Sequence, residues 1–244
     1  MEIQPALYMI PVGISDGNFD NIFPPANARI IVAIKHFIVE NIRTARRFLK
    51  KLDPGIDIST LTFYELNGHT SENEISGYLQ ALRNGEATGV MSEAGCPGVA
   101  DPGASVVKIA QKEGMRVVPL IGPSSILLAL MSSGLNGQKF AFNGYLPVKE
   151  GERDKAIRDL ENQSRRHDTT QIFIETPYRN EKMMDALLKN LNGETLLCVA
   201  SDITNPDNEK IITKTVKRWR AEGNKTEKVP TIFLFYSQGP GFKR

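Results

Sequence analysis

Short apolar runs alternate along this chain with segments in which apolar residues recur every three or four positions. In the first half, apolar runs predict strands over residues 6–11, 29–34, 87–91 and 116–120. Helical periodicity separates most of these runs. This alternation is typical of an α/β fold, in which helices cover a sheet.

The most regular helical pattern begins at Ile38. Its apolar residues follow steps of four and three, which predicts one buried helix face: Ile38, Ile42, Ala45, Leu49 and Leu52. The opposite face is a basic stripe, made of Arg43, Arg46, Arg47, Lys50 and Lys51. Such a stripe is either the solvated face of an amphipathic helix or a contact for RNA phosphates, and the pattern leaves both open.

Helix signals recur elsewhere. Ser71 and Glu74 have the spacing of a capping box, and Asn84-Gly85 is a stop signal. Further helices are predicted over residues 104–112, 124–133, 152–163 and 180–190.

The second half of the chain has a different order of predicted elements. Strand-like segments follow one another at residues 140–143, 171–175, 196–200, 210–213 and 231–236. Several of them are joined by short connections, which favours a mixed sheet. We therefore expect two α/β domains, residues 1–120 and 121–240.

Composition restricts the partners that we expect. The formal net charge of the 244 residues is only +2, so a nucleic-acid contact must be a local patch. Cys96 and Cys198 lie far apart without metal-ligand spacing, which argues against a zinc site and for a reducing, cytoplasmic setting. No apolar run is long enough to cross a membrane, so we expect a soluble protein without bound metal.

Three loops rich in small residues each follow a predicted strand: the first loop (residues 11–17), the second loop (92–98) and the third loop (121–125). Ligands of α/β sheets bind beyond the carboxyl ends of strands, where small residues let the backbone approach closely. Glycine and proline can also simply make turns, but their recurrence in three loops favours a shared crevice. None of the loops carries a dinucleotide or P-loop fingerprint.

Six segments, in this order, resemble the tetrapyrrole methylase superfamily: LYMIPVG, SEAGCPGVADPG, VVPLIGPSS, FNGYLPVK, FIETPYR and VASDIT. The chain looks most similar to the branch that methylates a ribose 2′-hydroxyl in small-subunit ribosomal RNA. The resemblance runs from about residue 7 to about residue 236. It implies a homodimer of two-domain subunits with S-adenosylmethionine in a cleft between the domains.

The resemblance also implies which residues hold the cofactor. In the first domain and at the domain boundary these are Pro11, Gly13, Glu93, Gly95, Cys96, Ser124 and Ser125. In the second domain they are Ile174, Ala200, Pro230 and Thr231.

Methyl transfer to a hydroxyl needs alignment of the two reactants and is helped by a base beside the acceptor. By analogy, Glu40 is the candidate base, Arg43 would position a phosphate, and His69 and Glu175 are weaker candidates. The plainer interpretation of Glu40 and Arg43 is a solvated helix end, and that of His69 is a surface loop. Cys96 has no paired base, which favours a small loop-filling residue over a nucleophile.

The chain also departs from that branch. Where the branch reads Ala-Glu-Asp-Thr-Arg, residues 39–43 read Val-Glu-Asn-Ile-Arg, so one carboxylate and one hydroxyl are missing. Two alternatives therefore stay open: a methyltransferase that acts on a tetrapyrrole or another small molecule, and a non-catalytic S-adenosylmethionine-binding protein. A third alternative, a nicotinamide-dependent oxidoreductase, rests only on the α/β pattern. The missing fingerprint disfavours the last.

Overall fold

The computed structural model describes residues 3–15, 23–223 and 227–239. The chain divides into two compact units, the first ending at Ser124 and the second beginning at Ser125.

The first unit is built on a parallel sheet. Its elements, in chain order, are β1 (Leu7–Ile10), α1 (Pro25–Ile31), β2 (His36–Val39), α2 (Ile42–Leu52), β3 (Thr62–Glu65), α3 (Glu72–Tyr78), α4 (Gln80–Arg83), β4 (Thr88–Met91), α5 (Gly103–Lys112) and β5 (Val117–Pro119). The strand order is β3-β2-β4-β1-β5, and each neighbouring pair is parallel. The carboxyl ends of all five strands therefore lie at one edge of the sheet.

Both faces of this sheet are covered. Along β1, Leu7 and Met9 pack into one apolar cluster with residues of α3 and α5, whereas Tyr8 and Ile10 pack into another with residues of α1 and α2. Because β1 is buried on both sides, its four residues form an uninterrupted apolar run. This burial explains the apolar run from which the strand was predicted.

The second unit contains a mixed sheet, as the sequence predicted. Its elements are α6 (Ser125–Ser133), β6 (Phe140–Tyr145), α7 (Glu150–His167), β7 (Thr170–Glu175), α8 (Asn180–Asn190), β8 (Leu196–Ser201), β9 (Lys210–Thr215), α9 (Val216–Glu222) and β10 (Thr231–Tyr236). The strand order is β6-β7-β10-β8-β9; β6 is parallel to β7, and the other pairs are antiparallel. Helix α6 packs on one face, and α7, α8 and α9 pack on the other. The predicted α/β fold class is confirmed.

One predicted strand is wrong. Residues 29–34 do not form a strand, because helix α1 occupies Pro25–Ile31 and begins with a proline, whose fixed φ suits the first helical position. The run of β-branched residues had favoured a strand.

The start of the next predicted helix is also wrong. Ile38 lies in β2, and Asn41 caps α2 by accepting hydrogen bonds from the backbone N–H groups of Arg43 and Thr44. The helix therefore begins at Ile42. The capping box of Ser71 and Glu74 is confirmed, whereas β2, β3 and α9 were not predicted.

Candidate functional site

The three loops meet at the carboxyl edge of the first sheet. They follow β1, β4 and β5, which are neighbours in the order β4-β1-β5. The Val12 N–H donates to the Gly95 carbonyl oxygen at 2.9 Å, which joins the first loop to the second. The Cys96 thiol donates to the Pro123 carbonyl oxygen at 3.4 Å, which joins the second loop to the third. Asp16 and Gly17, in the first loop, lie outside the described residues.

Glycine is required where the first and third loops touch. A β-carbon on Gly122 would lie 2.2 Å from Cγ of Pro11 and 2.4 Å from its Cβ, far inside contact distance. Gly95 has a φ of +69°, in the left-handed region that glycine adopts without strain. The small residues are therefore needed for close backbone approach.

Asp101 organises the second loop and the start of α5. Its carboxylate accepts hydrogen bonds from the Gly98 N–H, at 2.8 and 2.9 Å to its two oxygens, and from the Gly103 N–H at 2.7 Å. Ala100 between them has a φ of +61°, which is strained for a residue with a β-carbon. The role of Asp101 was not predicted, although proline and glycine crowd around it in the sequence.

Glu40 lies at the same edge of the sheet, immediately after β2, and contacts the second loop. It follows β2, the neighbour of β4, and its Oε2 accepts a hydrogen bond from the Glu93 N–H at 2.7 Å. The Glu93 carboxylate in turn accepts a hydrogen bond from the Thr44 hydroxyl in the first turn of α2. Two predicted site residues, Glu40 and Glu93, are thus in direct contact, and Thr44 is a partner that the sequence did not reveal.

Three carboxyl groups, those of Glu40, Glu93 and Asp101, lie near one another at this edge. Partial burial raises the pKa of the Glu40 carboxyl; the hydrogen bond from Glu93 opposes this, and the charges of Asp101 and Glu93 raise the pKa further. Burial, reinforced by Asp101, also raises the pKa of the Cys96 thiol. The thiol is therefore protonated at neutral pH and donates to a carbonyl, which agrees with a loop-filling role.

Two predicted catalytic residues, Arg43 and His69, do not take part in the Glu40–Glu93 contact. Arg43 is exposed in the first turn of α2, and its backbone N–H donates to the Asn41 side chain at 2.9 Å. His69 is exposed in the loop after β3, where its N–H donates to the Asn67 side chain at 2.9 Å. In the described part of the chain, no hydrogen bond or ion pair links either side chain to Glu40 or Glu93, so their catalytic roles stay predictions.

Glu175, a weaker candidate base, is buried and already paired. Its carboxylate accepts hydrogen bonds from Nε of Arg179 at 2.9 Å and from the Thr176 N–H at 2.7 Å. This arrangement neutralises the charge inside the second unit.

The cofactor residues predicted in the second unit lie on both faces of its sheet. Ile174 and Ala200 flank Ile232 in register, and all three pack into the apolar cluster that α6 covers. Thr231 precedes Ile232 in β10 and so lies on the opposite face of the sheet, where the Asn180 amide donates to its hydroxyl at 3.0 Å. Pro230 is exposed and its carbonyl accepts the Asp202 N–H at 2.8 Å.

Ser124 is the last residue of the first unit and Ser125 begins α6; both are half-buried. For every residue predicted to hold the cofactor, in either unit, binding stays a prediction.

Across residues 3–15, 23–223 and 227–239, no group of three or more His, Cys, Asp or Glu side chains is arranged to hold a metal ion. In that same part of the chain, no helix combines the length and apolar character needed to span a membrane.

The sequence matches the family profile of the Tetrapyrrole (Corrin/Porphyrin) Methylases over residues 7–219. It is 33% identical over 202 residues to a ribosomal RNA small subunit methyltransferase I of Mesorhizobium japonicum, covering 83% of this chain and 65% of that protein. With the protein of the same description from Vibrio cholerae it shares 32% identity over 200 residues, covering 82% of this chain and 65% of the relative. The chain thus spans slightly less than two thirds of the length of these relatives.

Solved structures share the fold at low identity. The methyltransferase CobJ superposes with a TM-score of 0.63 at 15% identity, covering 98% of this chain and 96% of that chain. A uroporphyrin-III C-methyl transferase from Thermus thermophilus, complexed with S-adenosylhomocysteine, gives a TM-score of 0.57 at 16% identity, covering 95% of this chain and 97% of that chain. With the profile covering most of the sequence and these likenesses in agreement, the chain belongs to the tetrapyrrole methylase family, as predicted.

Proposed function

We propose that this protein is an S-adenosylmethionine-dependent methyltransferase that methylates a ribose 2′-hydroxyl in small-subunit ribosomal RNA. The observation that carries the proposal is the convergence of the three loops and Glu40 at one sheet edge, in a member of this family. The names of the two bacterial relatives support the choice of RNA as the acceptor.

The residues of the edge fit the cofactor. S-adenosylmethionine supplies an electrophilic methyl group on a positively charged sulfonium. The carboxylates of Glu40, Glu93 and Asp101 give this edge the opposite sign, which favours a cation. Glu93 and Ala94 are exposed while Gly95 is buried. The second loop therefore presents its backbone and one carboxylate to solvent, and the residue that follows them is packed inside the protein.

Glu40 can accept the proton of the acceptor hydroxyl. One of its oxygens accepts the Glu93 N–H, and a carboxylate has further lone pairs to offer. Because its pKa is raised, its deprotonated form is a stronger base than an ordinary carboxylate. Arg43, in the first turn of α2, would hold a phosphate next to the acceptor ribose.

We also propose that the protein acts as a homodimer, as its family resemblance implies, and that it does so in the cytoplasm, as its two widely separated cysteines indicate. Light scattering of the purified protein should give a mass near twice that of the chain. A monomer mass at micromolar concentration would contradict the dimer.

The methyltransferase proposal is tested in two steps. Calorimetry with S-adenosylhomocysteine should show binding, and tritium from labelled S-adenosylmethionine should enter small ribosomal subunits from a methylation-deficient strain. Mass mapping of the rRNA should then place the methyl group on a ribose. Absence of cofactor binding at millimolar ligand would refute the proposal.

A non-catalytic cofactor-binding protein is the second candidate, because residues 39–43 lack a carboxylate and a hydroxyl that the rRNA branch has. Cofactor binding without tritium incorporation would favour this candidate, and robust incorporation would exclude it.

A further inference from the structure

The basic stripe of α2 is a concentrated charge on a nearly neutral protein. All five of its residues are exposed, whereas the opposite side of the helix buries Ala45 and Leu49 in the core of the first unit. Helix α2 contains no aspartate or glutamate. The protein as a whole has a formal net charge of only +2.

Among the residues that the structure describes, four of the five in the stripe lack the acidic partners that a solvated helix face normally has. Within the described part of the chain, no carboxylate lies within ion-pair distance of Arg43, Arg46, Arg47 or Lys50. Lys50 donates to the Pro54 carbonyl at 3.0 Å, and it contributes only a minor effect to the lowered pKa of Asp57, which hydrogen bonds from Ser59 dominate. The positive charges of these four residues are therefore not balanced by an ion pair.

Helix α7 shows what an ordinary exposed face looks like in this protein. It carries five aspartate or glutamate residues and five lysine or arginine residues along its length. Its Glu150 pairs with Lys189 at 3.1 Å and its Glu152 with Lys149 at 3.3 Å, and all four of these side chains are exposed. Mixed signs of this kind keep a helix solvated without attracting a polyanion. The single sign of the α2 stripe departs from that pattern.

Helix stability does not account for the charges either. Lys50 and Lys51 lie in the last turn, where cations interact favourably with the helix dipole. Arg43 lies in the first turn, where a cation is disfavoured. Arg46 lies over the Phe63 ring at 5.3 Å, which holds one guanidinium near the surface of the sheet.

The stripe begins beside the candidate site. Thr44, between Arg43 and the rest of the stripe, donates to Glu93, and Glu40 precedes the helix by two residues. A polyanion bound along α2 would therefore extend to the edge of the sheet where Glu40 contacts the second loop. Arg43, Arg47 and Lys50 follow steps of four and three, so they project from one face over about two helical turns.

We infer that the basic stripe is the RNA-docking surface of this protein, binding the phosphate backbone beside the acceptor ribose. The inference rests on the proposed function and extends it, because it names where the substrate is held. Arginine and lysine bind phosphates without reading bases, so the stripe supplies affinity and register rather than sequence selection.

The test compares RNA binding by two charge-neutralised variants. Arg47→Gln/Lys50→Gln removes two charges from the stripe, and Lys155→Gln/Lys182→Gln removes two exposed charges from α7 and α8 as the matched control. The probe is transcribed small-subunit rRNA, and its affinity is measured over a series of salt concentrations. Arg47→Lys/Lys50→Arg preserves the charge and serves as the rescue.

We expect the stripe variant to bind rRNA at least about fivefold more weakly at roughly 100 mM salt, with the slope of log affinity against log salt reduced by about 1.5. The control and rescue variants should keep the wild-type slope, and all variants should bind S-adenosylhomocysteine equally. Thermal unfolding confirms that each variant is folded.

The outcomes separate the two proposals. If the wild type methylates rRNA and the stripe variant keeps its affinity and slope, or the control loses as much, the docking surface is refuted while the proposed function stands. If the wild type neither binds nor methylates rRNA, both fail. Stripe-dependent binding to anionic lipid vesicles with no binding to rRNA would also refute the inference.

Discussion

Glu40 gives the sharpest test of the site, because it has a structural contact and a chemical role that two substitutions can separate. Glu40→Ala removes the acceptor of the Glu93 N–H, a bond of 2.7 Å to a charged oxygen. The loss of a hydrogen bond of this kind costs about 1–3 kcal/mol. Because Glu40 is half-exposed and water replaces part of the contact, we expect a loss of about 1 kcal/mol. For a chain of this size the unfolding midpoint should fall by roughly 2–4 °C.

Glu40→Gln is the matched variant. Its amide oxygen can accept the same N–H, while the charge that partial burial disfavours is removed. We therefore expect an unfolding midpoint equal to that of the wild type or higher at neutral pH. Methyl transfer should fall roughly 100-fold because the base is lost. Differential scanning fluorimetry and single-turnover tritium transfer measure the two quantities.

The pH dependence follows from the raised pKa. The base acts in its deprotonated form, so wild-type turnover should fall as pH drops through the Glu40 pKa, which lies above its ordinary value. A carboxyl whose pKa is higher in the folded chain binds its proton more tightly when folded. Lowering the pH through that pKa therefore stabilises the wild type relative to Glu40→Gln.

Three results would refute this reasoning. Full turnover in Glu40→Gln would exclude Glu40 as the base. An unchanged midpoint in Glu40→Ala would show that the contact with Glu93 contributes nothing to stability. A pH–rate profile that Glu40→Gln shares with the wild type would assign the titration to another group.

Other substitutions test how the edge and its helices are built. Gly122→Ala places a β-carbon 2.2 Å from Cγ of Pro11, so we expect a loss of about 1–3 kcal/mol in chemical denaturation; Gly137→Ala, with nothing within 4 Å, is the control, and equal stability of the two would contradict the packing argument. Asp101→Ala leaves two loop N–H groups without their acceptor; we expect weaker S-adenosylhomocysteine binding in calorimetry, and wild-type affinity would count against the loop's role. Ser71→Ala removes a helix cap and should lower the unfolding midpoint. Because hydrogen bonds from Ser71 lower the Glu74 pKa, that deficit should be largest at neutral pH and shrink as pH falls through the pKa, and a constant deficit would contradict this account.

Features that depend on near neighbours along the chain were predictable before the fold was known. The capping box of Ser71 and Glu74 and the faces of α2 were predictable because three- and four-residue spacing sets contacts within a helix. The order of six motifs identified the family. Strand β3 escaped prediction because its four residues are only partly buried or exposed and form no apolar run.

Which distant residues meet at the site depends on how the strands pair in the folded chain. Glu40 and Glu93 are 53 positions apart, and their contact exists because β2 and β4 are paired in register, a pairing that no local pattern encodes. The same holds for Gly122 against Pro11 and for Thr44 against Glu93. Local periodicity fixes which face of an element is apolar, whereas strand order depends on how all the elements bury those faces together, and that order places the reactive groups side by side.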